Sequence, residues 1–350
     1  MEKLPLETQT LYAQFMETLL ATEAQRSIGR LAGCFTTKIV KGLTYCYFQY
    51  SDPGGLLRQV YLGRKNAVLD RVIETFVSER EASKADTDHL QRLCAQLRAG
   101  GALMTDTASS RVLKALAESG IFQMGAVLVG THAFIVLGNL LGVKWSGSSL
   151  RTQDLDIGAE ASMSIGIPHI DADLPDVLER LEMGFLPVPP LNPKHPSTSF
   201  KVRGKSLRVD LLTPRPRRQE MGPTIIPRFK AAAQPLPFLD YLIEGYECGA
   251  IIDGGGILLN VPSPGRFAFH KLLISGERGA VLHTKVEKDL LQAAQVLAVL
   301  IEERAGDVRV AWEEINRRGK GWARRVLSGL SRLQTRYPSE HKQISAFLRK

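Results

Sequence analysis

Apolar positions recur at helical spacing in two stretches of the first hundred residues, near residues 11–28 and over residues 65–97. Between them, Leu43-Thr44-Tyr45-Cys46-Tyr47-Phe48-Gln49-Tyr50 is rich in aromatic residues, Asp52-Pro53-Gly54-Gly55 is turn chemistry, and residues 57–62 return, which predicts a hairpin. Residues 1–100 therefore read as a mostly helical N-terminal docking region with a hairpin. Its aromatic stripe suits two roles, packing of a sheet face or stacking of nucleic-acid bases.

From residue 101 to about 216 the pattern changes, and short apolar runs alternate with helical ones. Thr105 or Thr107 can cap a helix through Leu116, and Gly125-Ala126-Val127-Leu128-Val129 reads as a buried strand ending at Gly130. A helix is expected from about His132 to Leu141, a strand over residues 151–157, and a short helix over residues 176–183. Ser199-Phe200-Lys201-Val202 and residues 206–212 form a predicted hairpin around Arg203-Gly204-Lys205. Residues 217–350 begin with a Pro- and Arg-rich stretch and one more hairpin, turning at Asp253-Gly254-Gly255-Gly256. Ser263-Pro264 then starts a basic helical region, with Ser as N-cap and Pro at the first position. No internal repeat or long low-complexity tract interrupts this layout.

Composition narrows the class. With 350 residues, 44% hydrophobic and 23% charged, and a mean hydropathy of -0.06, the chain is an ordinary folded protein of two or three domains. No run reaches the ~18 to 20 consecutive apolar residues of a membrane helix, and Met1-Glu2-Lys3-Leu4-Pro5 lacks a signal-peptide layout, so the expected address is the cytoplasm with no membrane partner. Cys34, Cys46, Cys94 and Cys248 show neither a C-x-x-C pair nor zinc spacing and are expected to be reduced packing residues. The formal charge of +9 favours contact with polyanions.

The sharpest chemical signal is Asp154-Leu155-Asp156 inside an apolar strand. Residues two apart on a strand point the same way, with Cβ atoms roughly 6 to 7 Å apart, so both carboxylates lie on one face. Burying them unpaired costs several kcal/mol, so cations, Arg/Lys partners or water at a strand end must compensate. Asp210, within Leu207-Arg208-Val209-Asp210-Leu211-Leu212, is a third anomalous acid. Gly130-Thr131, at a strand-to-helix corner, offers backbone N–H groups and a hydroxyl as a phosphate seat or simply a tight turn.

This combination resembles the nucleotidyltransferase superfamily related to DNA polymerase β, in which a Gly-Gly or Gly-Ser strand end, a helix, an Asp-x-Asp strand and a later Asp recur. Thr131 replaces the usual Ser and keeps the hydroxyl. The helical region after residue 263, with Lys271, Lys288 and Asp289, looks like that of bacterial nucleotidyltransferase-like proteins, including AbiEii-type toxins; a surface charge network would also account for it. The resemblance implies an α+β fold, a nucleotidyltransferase-like mixed sheet with flanking helices, in a catalytic domain of residues 101–216. Residues 1–100 would form the N-terminal helical and hairpin region, and residues 217–350 a C-terminal hairpin and helical domain. It further implies transfer of a nucleoside monophosphate from an NTP to an acceptor hydroxyl, with Mg²⁺ or Mn²⁺ held by Asp154, Asp156 and Asp210. Gly130 and Thr131 would orient the triphosphate; Arg151, Lys271, Lys288 and Asp289 would line the nucleotide site. Arg151 serves equally as an ion-pair partner of the aspartates. The preferred acceptor is RNA, a tRNA end above all, because the surplus charge and the basic tracts of residues 201–218 and 317–336 suit a polyanion; a protein hydroxyl and a small molecule are the alternatives. The AbiEii likeness adds a toxin or defence role with an antitoxin partner.

Other chemistries have less support. Asp253-Gly254-Gly255-Gly256 lacks the helix and Lys-Ser/Thr of a P-loop, the histidines show no H-E-x-x-H spacing, and Gly125 to Gly130 lacks the dinucleotide fingerprint. His132, directly after Gly130-Thr131, suits phosphate contact, capping or packing. The alternative from another class is a catalytically silent nucleotide- or RNA-binding module on the same fold.

Overall fold

The computed structural model describes residues 1–24, 31, 33–51, 56–147, 152–161, 172–216, 222–277 and 283–349. Outside them lie Arg151, Arg278, the turn expected at Asp52-Pro53-Gly54-Gly55, the end of the first expected helix at residues 25–28, and Arg217 with Arg218.

The first part of the chain comprises β1 (Glu2–Lys3), α1 (Leu6–Ala24), β2 (Cys34–Val40), β3 (Leu43–Ser51), β4 (Leu57–Arg64) and α2 (Ala67–Ala99). The middle comprises α3 (Thr107–Glu118), β5 (Val127–Val129), α4 (Gly130–Leu140), β6 (Val143–Lys144), β7 (Asp154–Gly158), α5 (Leu174–Arg180), β8 (Phe185–Pro187), β9 (Ser199–Val202) and β10 (Arg208–Pro214). Next come β11 (Thr224–Ile226), β12 (Ala231–Leu236), α6 (Leu239–Ile243), β13 (Tyr246–Ile251) and β14 (Ile257–Pro262). The chain ends in α7 (Pro264–Glu277), α8 (His283–Glu303), α9 (Ala305–Arg317), α10 (Lys320–Arg336) and α11 (Pro338–Leu348).

Among the described residues, seven strands form the central mixed sheet, in the order β11-β12-β10-β7-β5, with β9 on β10 and β8 on β9. β7 and β10 are parallel, whereas β5 runs antiparallel to β7. β10 follows a strict alternation in which Val209, Leu211 and Thr213 are buried and Arg208, Asp210, Leu212 and Pro214 are half-buried. β7 does the same with Leu155 and Ile157. The apolar residues of this alternation join one core that extends from Leu103 through the C-terminal helices to Ile344. The sheet also runs past residue 216, because β12 pairs in parallel with the end of β10.

Local chemistry shifts several element starts. α3 is capped by Asp106, whose Oδ1 accepts from the Ser109 amide at 3.0 Å, and not by Thr105 or Thr107. Thr107 is already the first helical residue, too late to cap, and a carboxylate suits the positive end of the helix. α4 begins at Gly130 and is apolar on every side, with residues 131–139 all buried, so it runs through the core. α5 begins at Leu174, earlier than expected, because Asp173 accepts from the Asp176 amide and Pro175 occupies the first turn.

The N-terminal hairpin gains a third strand, β2, which the sequence reading lacked. Its residues Cys34-Phe35-Thr36-Thr37-Lys38-Ile39-Val40 bury little of themselves and therefore carry a weak alternation signal. Phe35 and Phe48 of this sheet pack edge-on against Phe76 of α2, at 5.0 and 5.8 Å between ring centroids. A second core joins Tyr12, Phe15 and Leu19 of α1 to Leu90, Leu93 and Leu97 of α2 and to Ala250 and Ile252 at the β13–β14 hairpin. No helix of the described residues is long and apolar enough to cross a membrane. All four cysteines are free.

Candidate active site

The parallel register of β7 and β10 aligns Asp154 with Arg208 and Asp156 with Asp210. Paired residues on adjacent strands share a face, so all four side chains emerge on the side opposite the core residues Leu155, Ile157, Val209 and Leu211. The antiparallel register places Val129, the last residue of β5, opposite Asp156, and the chain turns into α4 at the next residue.

That turn explains Gly130. Its φ is +69°, a conformation side chains disfavour, and a Cβ there would overlap Asp156 Oδ2 and sit 3.1 Å from Asp156 Cγ. Asp156 thus lies against the backbone at the start of α4, where no side chain caps the helix. Unpaired N–H groups at such a terminus carry partial positive charge and suit an anion. Thr131 follows and is buried.

The acids are unequal. Asp154 is exposed at the strand's start, and its amide donates to Thr152 Oγ1 at 3.2 Å. Asp156 is more deeply placed: burial first, then the neighbouring Asp210 and Asp154 carboxylates, push its carboxyl up to about 7, against the pull of Lys271 and Lys285. Asp210 is held by its own strand and the next. Arg208 Nε donates to Asp210 Oδ1 at 2.6 Å, the Ser199 hydroxyl donates to the same oxygen, and Arg208 Nη2 donates to Ser199 Oγ at 2.8 Å. A cavity of about 400 Å³ opens beside Ser199 and Arg208, lined also by Pro189, Pro190, Asn192 and His195.

The C-terminal helices supply the opposing charge. Lys271 on α7 and Asp289 on α8 form an ion pair of 2.7 Å with side chains only 12% and 7% exposed. Lys288 is drawn below the usual lysine range by burial and then by Lys271, while Asp289, Asp154 and Asp156 counteract. Lys285, Lys288, Asp289 and Gln292 recur at i, i+3, i+4 and i+7, one face of α8. Lys271 and Lys288 are therefore brought into electrostatic contact with the acidic strand, and Asp289 reaches it only through its pairing with Lys271; Arg151 lies outside the described residues. Sequence reasoning missed Lys285, Arg208 as the partner of Asp210, and Ser199. The helical period and the shared parity of residues 208 and 210 were the available signals for the first two.

His132 is 1% exposed, and both ring nitrogens lack a hydrogen-bond partner among the described residues. Burial lowers its titration to about 4, with Asp106 opposing and Lys288 adding to the effect.

A family model described as nucleotidyltransferase matches residues 107–317, more than half of the chain. The chain belongs to the nucleotidyltransferase family. The matched span holds Gly130, Asp154, Asp156, Asp210, Lys271 and Asp289 together. Among solved structures, an antigenic nucleotidyltransferase-like protein from Paracoccidioides brasiliensis is 15% identical, with 59% of this chain and 93% of that chain covered and a TM-score of 0.29. Among curated proteins, none matches.

For a nucleotidyltransferase, carboxylate oxygens on one sheet face are the donor chemistry of a hard divalent cation, and burial followed by the neighbouring carboxylates keeps Asp156 from ionising. Among the described residues, no group of three or more His, Cys, Asp and Glu side chains is placed to hold a metal ion. Arg208 and Ser199 both engage Asp210 Oδ1, so a cation at this acid of the nucleotidyltransferase competes with that guanidinium for Oδ1 or uses Oδ2.

Proposed function

We propose that this nucleotidyltransferase moves a nucleoside monophosphate from an NTP to an acceptor hydroxyl, with Mg²⁺ or Mn²⁺ held by Asp154, Asp156 and Asp210. The observation that carries the reading is the position of Asp156, between the Gly130 corner and the carboxylates of Asp154 and Asp210, with Lys271 and Lys285 nearby. In the step proposed, the acceptor oxygen bonds to the α-phosphorus as the bond to pyrophosphate breaks, pyrophosphate leaves, and the hydroxyl proton passes to Asp210 or water. A bound divalent cation supplies charge neutralisation at the triphosphate and acidifies the acceptor hydroxyl. Gly130 and Thr131 orient the β- and γ-phosphates through N–H and hydroxyl contacts. Lys271 and Lys288 offset triphosphate charge, Asp289 positions Lys271, and Arg151 adds a further cation ahead of the acids. The acceptor approaches over Ser199 and Arg208, beside the cavity they line.

The test is to incubate the protein with each α-labelled NTP, Mg²⁺ and total cellular RNA or protein, beside Asp156→Asn. Label transfer by the wild type alone is expected, and equal labelling by both proteins removes Asp156 from the chemistry. The ion pair between Arg208 and Asp210 supports a second reading, a nucleotide-binding module whose third acid is already neutralised. A metal titration separates them: the module binds nucleotide equally with and without Mg²⁺, and the enzyme requires it.

A further inference from the structure

The three-stranded sheet β2-β3-β4 divides its aromatic residues between two faces. Register pairs Lys38 with Tyr45 and Thr36 with Tyr47 on one side of β3, and Tyr47 with Tyr61 and Gln49 with Gln59 on the other. These residues share a face opposite to that of Phe35 and Phe48, which is taken up by Phe76 of α2. The outward face is aromatic, with Tyr61 exposed and Tyr45 and Tyr47 half-buried. Tyr61 is 57% exposed, its ring lies 6.2 Å from Tyr45 and 5.5 Å from Tyr47, and Lys38 Nζ stands 4.9 Å over the Tyr47 ring.

Charge decides what such a face suits. Lys38 and Arg64 lie on this face and Lys41 at the turn beside it, Arg58 pairs with Tyr50 on the opposite face, and these strands and the turn of residues 41–42 contain no Asp or Glu. Lys38 is hydrogen-bonded to the neutral Gln59 amide at 2.9 Å, so its charge is not cancelled by that partner. The C-terminal basic tract differs, because Arg318 engages Asp240 and Glu244, Arg325 engages Glu277, and Arg336 lies 2.6 Å from Glu287. Flat rings flanked by cations, with no acid among them, complement a polyanion that carries its own π faces. Gln49 and Gln59 lie among the tyrosines, Gln59 Nε2 donating to Gln49 Oε1 at 2.8 Å, and their remaining N–H groups and lone pairs suit a ribose 2′-hydroxyl, which DNA lacks.

We infer that this sheet face, formed by Tyr45, Tyr47, Tyr61, Lys38 and Arg64, is a platform on which single-stranded RNA stacks its bases. It is an RNA-binding site outside the span matched by the family model. The platform holds RNA whether or not the cleft turns over, so its failure and that of the transfer reading are separable.

The experiment measures binding of a labelled, unstructured RNA of about a dozen nucleotides to the full chain in the Asp156→Asn background, without NTP or divalent cation. Tyr47→Ala/Tyr61→Ala is expected to weaken binding at least tenfold, since each stacked base is worth about 1–3 kcal/mol. Tyr47→Phe/Tyr61→Phe should retain most of the affinity. Lys38→Gln/Arg64→Gln should lower the slope of log affinity against log salt by about 1.4, the value for two phosphates of a single strand. Ultraviolet crosslinking of the unaltered chain, which needs no variant to fold, should join RNA to residues 43–64. Unchanged affinity in the alanine pair, crosslinks confined to other segments, or equal binding of duplex RNA would each overturn the platform. Equal affinity for single-stranded DNA of the same sequence would overturn its assignment to RNA.

Discussion

Replacing Asp156 by Asn should stabilise the protein while abolishing transfer. The Asp156 carboxyl titrates near 3.8 in an unfolded chain and near 7 in the fold. The unfolded state thus releases its proton first, and the fold loses stability as pH rises from 3.8 to 7, with the full penalty present above 7. That difference corresponds to a ceiling of about 4 kcal/mol at pH 8. Asn keeps the volume and removes the charge. With an unfolding entropy of about 2.1 cal/mol/K per residue, a chain of this length gains roughly 1.4 °C in Tm per kcal/mol, so the expected rise at pH 8 without divalent cations is about 2–6 °C. At pH 3.5 the two proteins should melt together. Added MgCl₂ should raise the wild-type Tm and leave the variant nearly unmoved, because a ligand stabilises only the fold that binds it. Scanning calorimetry at the two pH values, with and without MgCl₂, reads all of this. An Asn variant that melts below the wild type at pH 8 would refute the reasoning, since Asp156 would then be a structural carboxylate.

Asp289→Asn should cost about 3 kcal/mol in denaturant unfolding because it strands buried Lys271, whereas Glu313→Gln, at the exposed pair with Arg317, should cost under about 1. Gly130→Ala forces a Cβ against Asp156 at positive φ; we expect about 2 kcal/mol of destabilisation by the same measurement and loss of label transfer. His132, titrating near 4 in the fold and 6.5 outside it, contributes stability above pH 6.5 that is lost as pH falls through 4; His132→Leu should flatten the denaturation midpoint across that window. Arg208→Ala frees Asp210 Oδ1 from a competing cation, so calorimetric titration should show Mg²⁺ binding several-fold more tightly.

Half of the candidate site was legible because it is local. Strand alternation alone puts Asp154 and Asp156 on one face with Leu155 and Ile157 on the other, and Asp210 stands out within its apolar run. The pairing of β7 with β10 is not local: fifty residues and several elements separate Ile157 from Leu207, and no period reports which strands become neighbours. Arg208 therefore entered only as part of the basic tract of residues 201–218, although its parity with Asp210 put both on the same side. Lys288 and Asp289 entered through family likeness, yet the face they share with Lys285 and Gln292 is a helical period visible in the chain.

The aromatic run of β3 shows the opposite limit. Alternation fixes that Tyr45 and Tyr47 oppose Cys46 and Phe48, but which set finds a partner depends on α2, whose Phe76 meets Phe48 and leaves the tyrosines on the other side. On paper the side with Phe35, Cys46, Phe48 and Val60 is the more apolar of the two. Among the described residues, α2 covers that side through Phe76 and the side bearing Lys38 and Arg64 stays open, which is the arrangement expected of a surface kept for a charged partner rather than for the core.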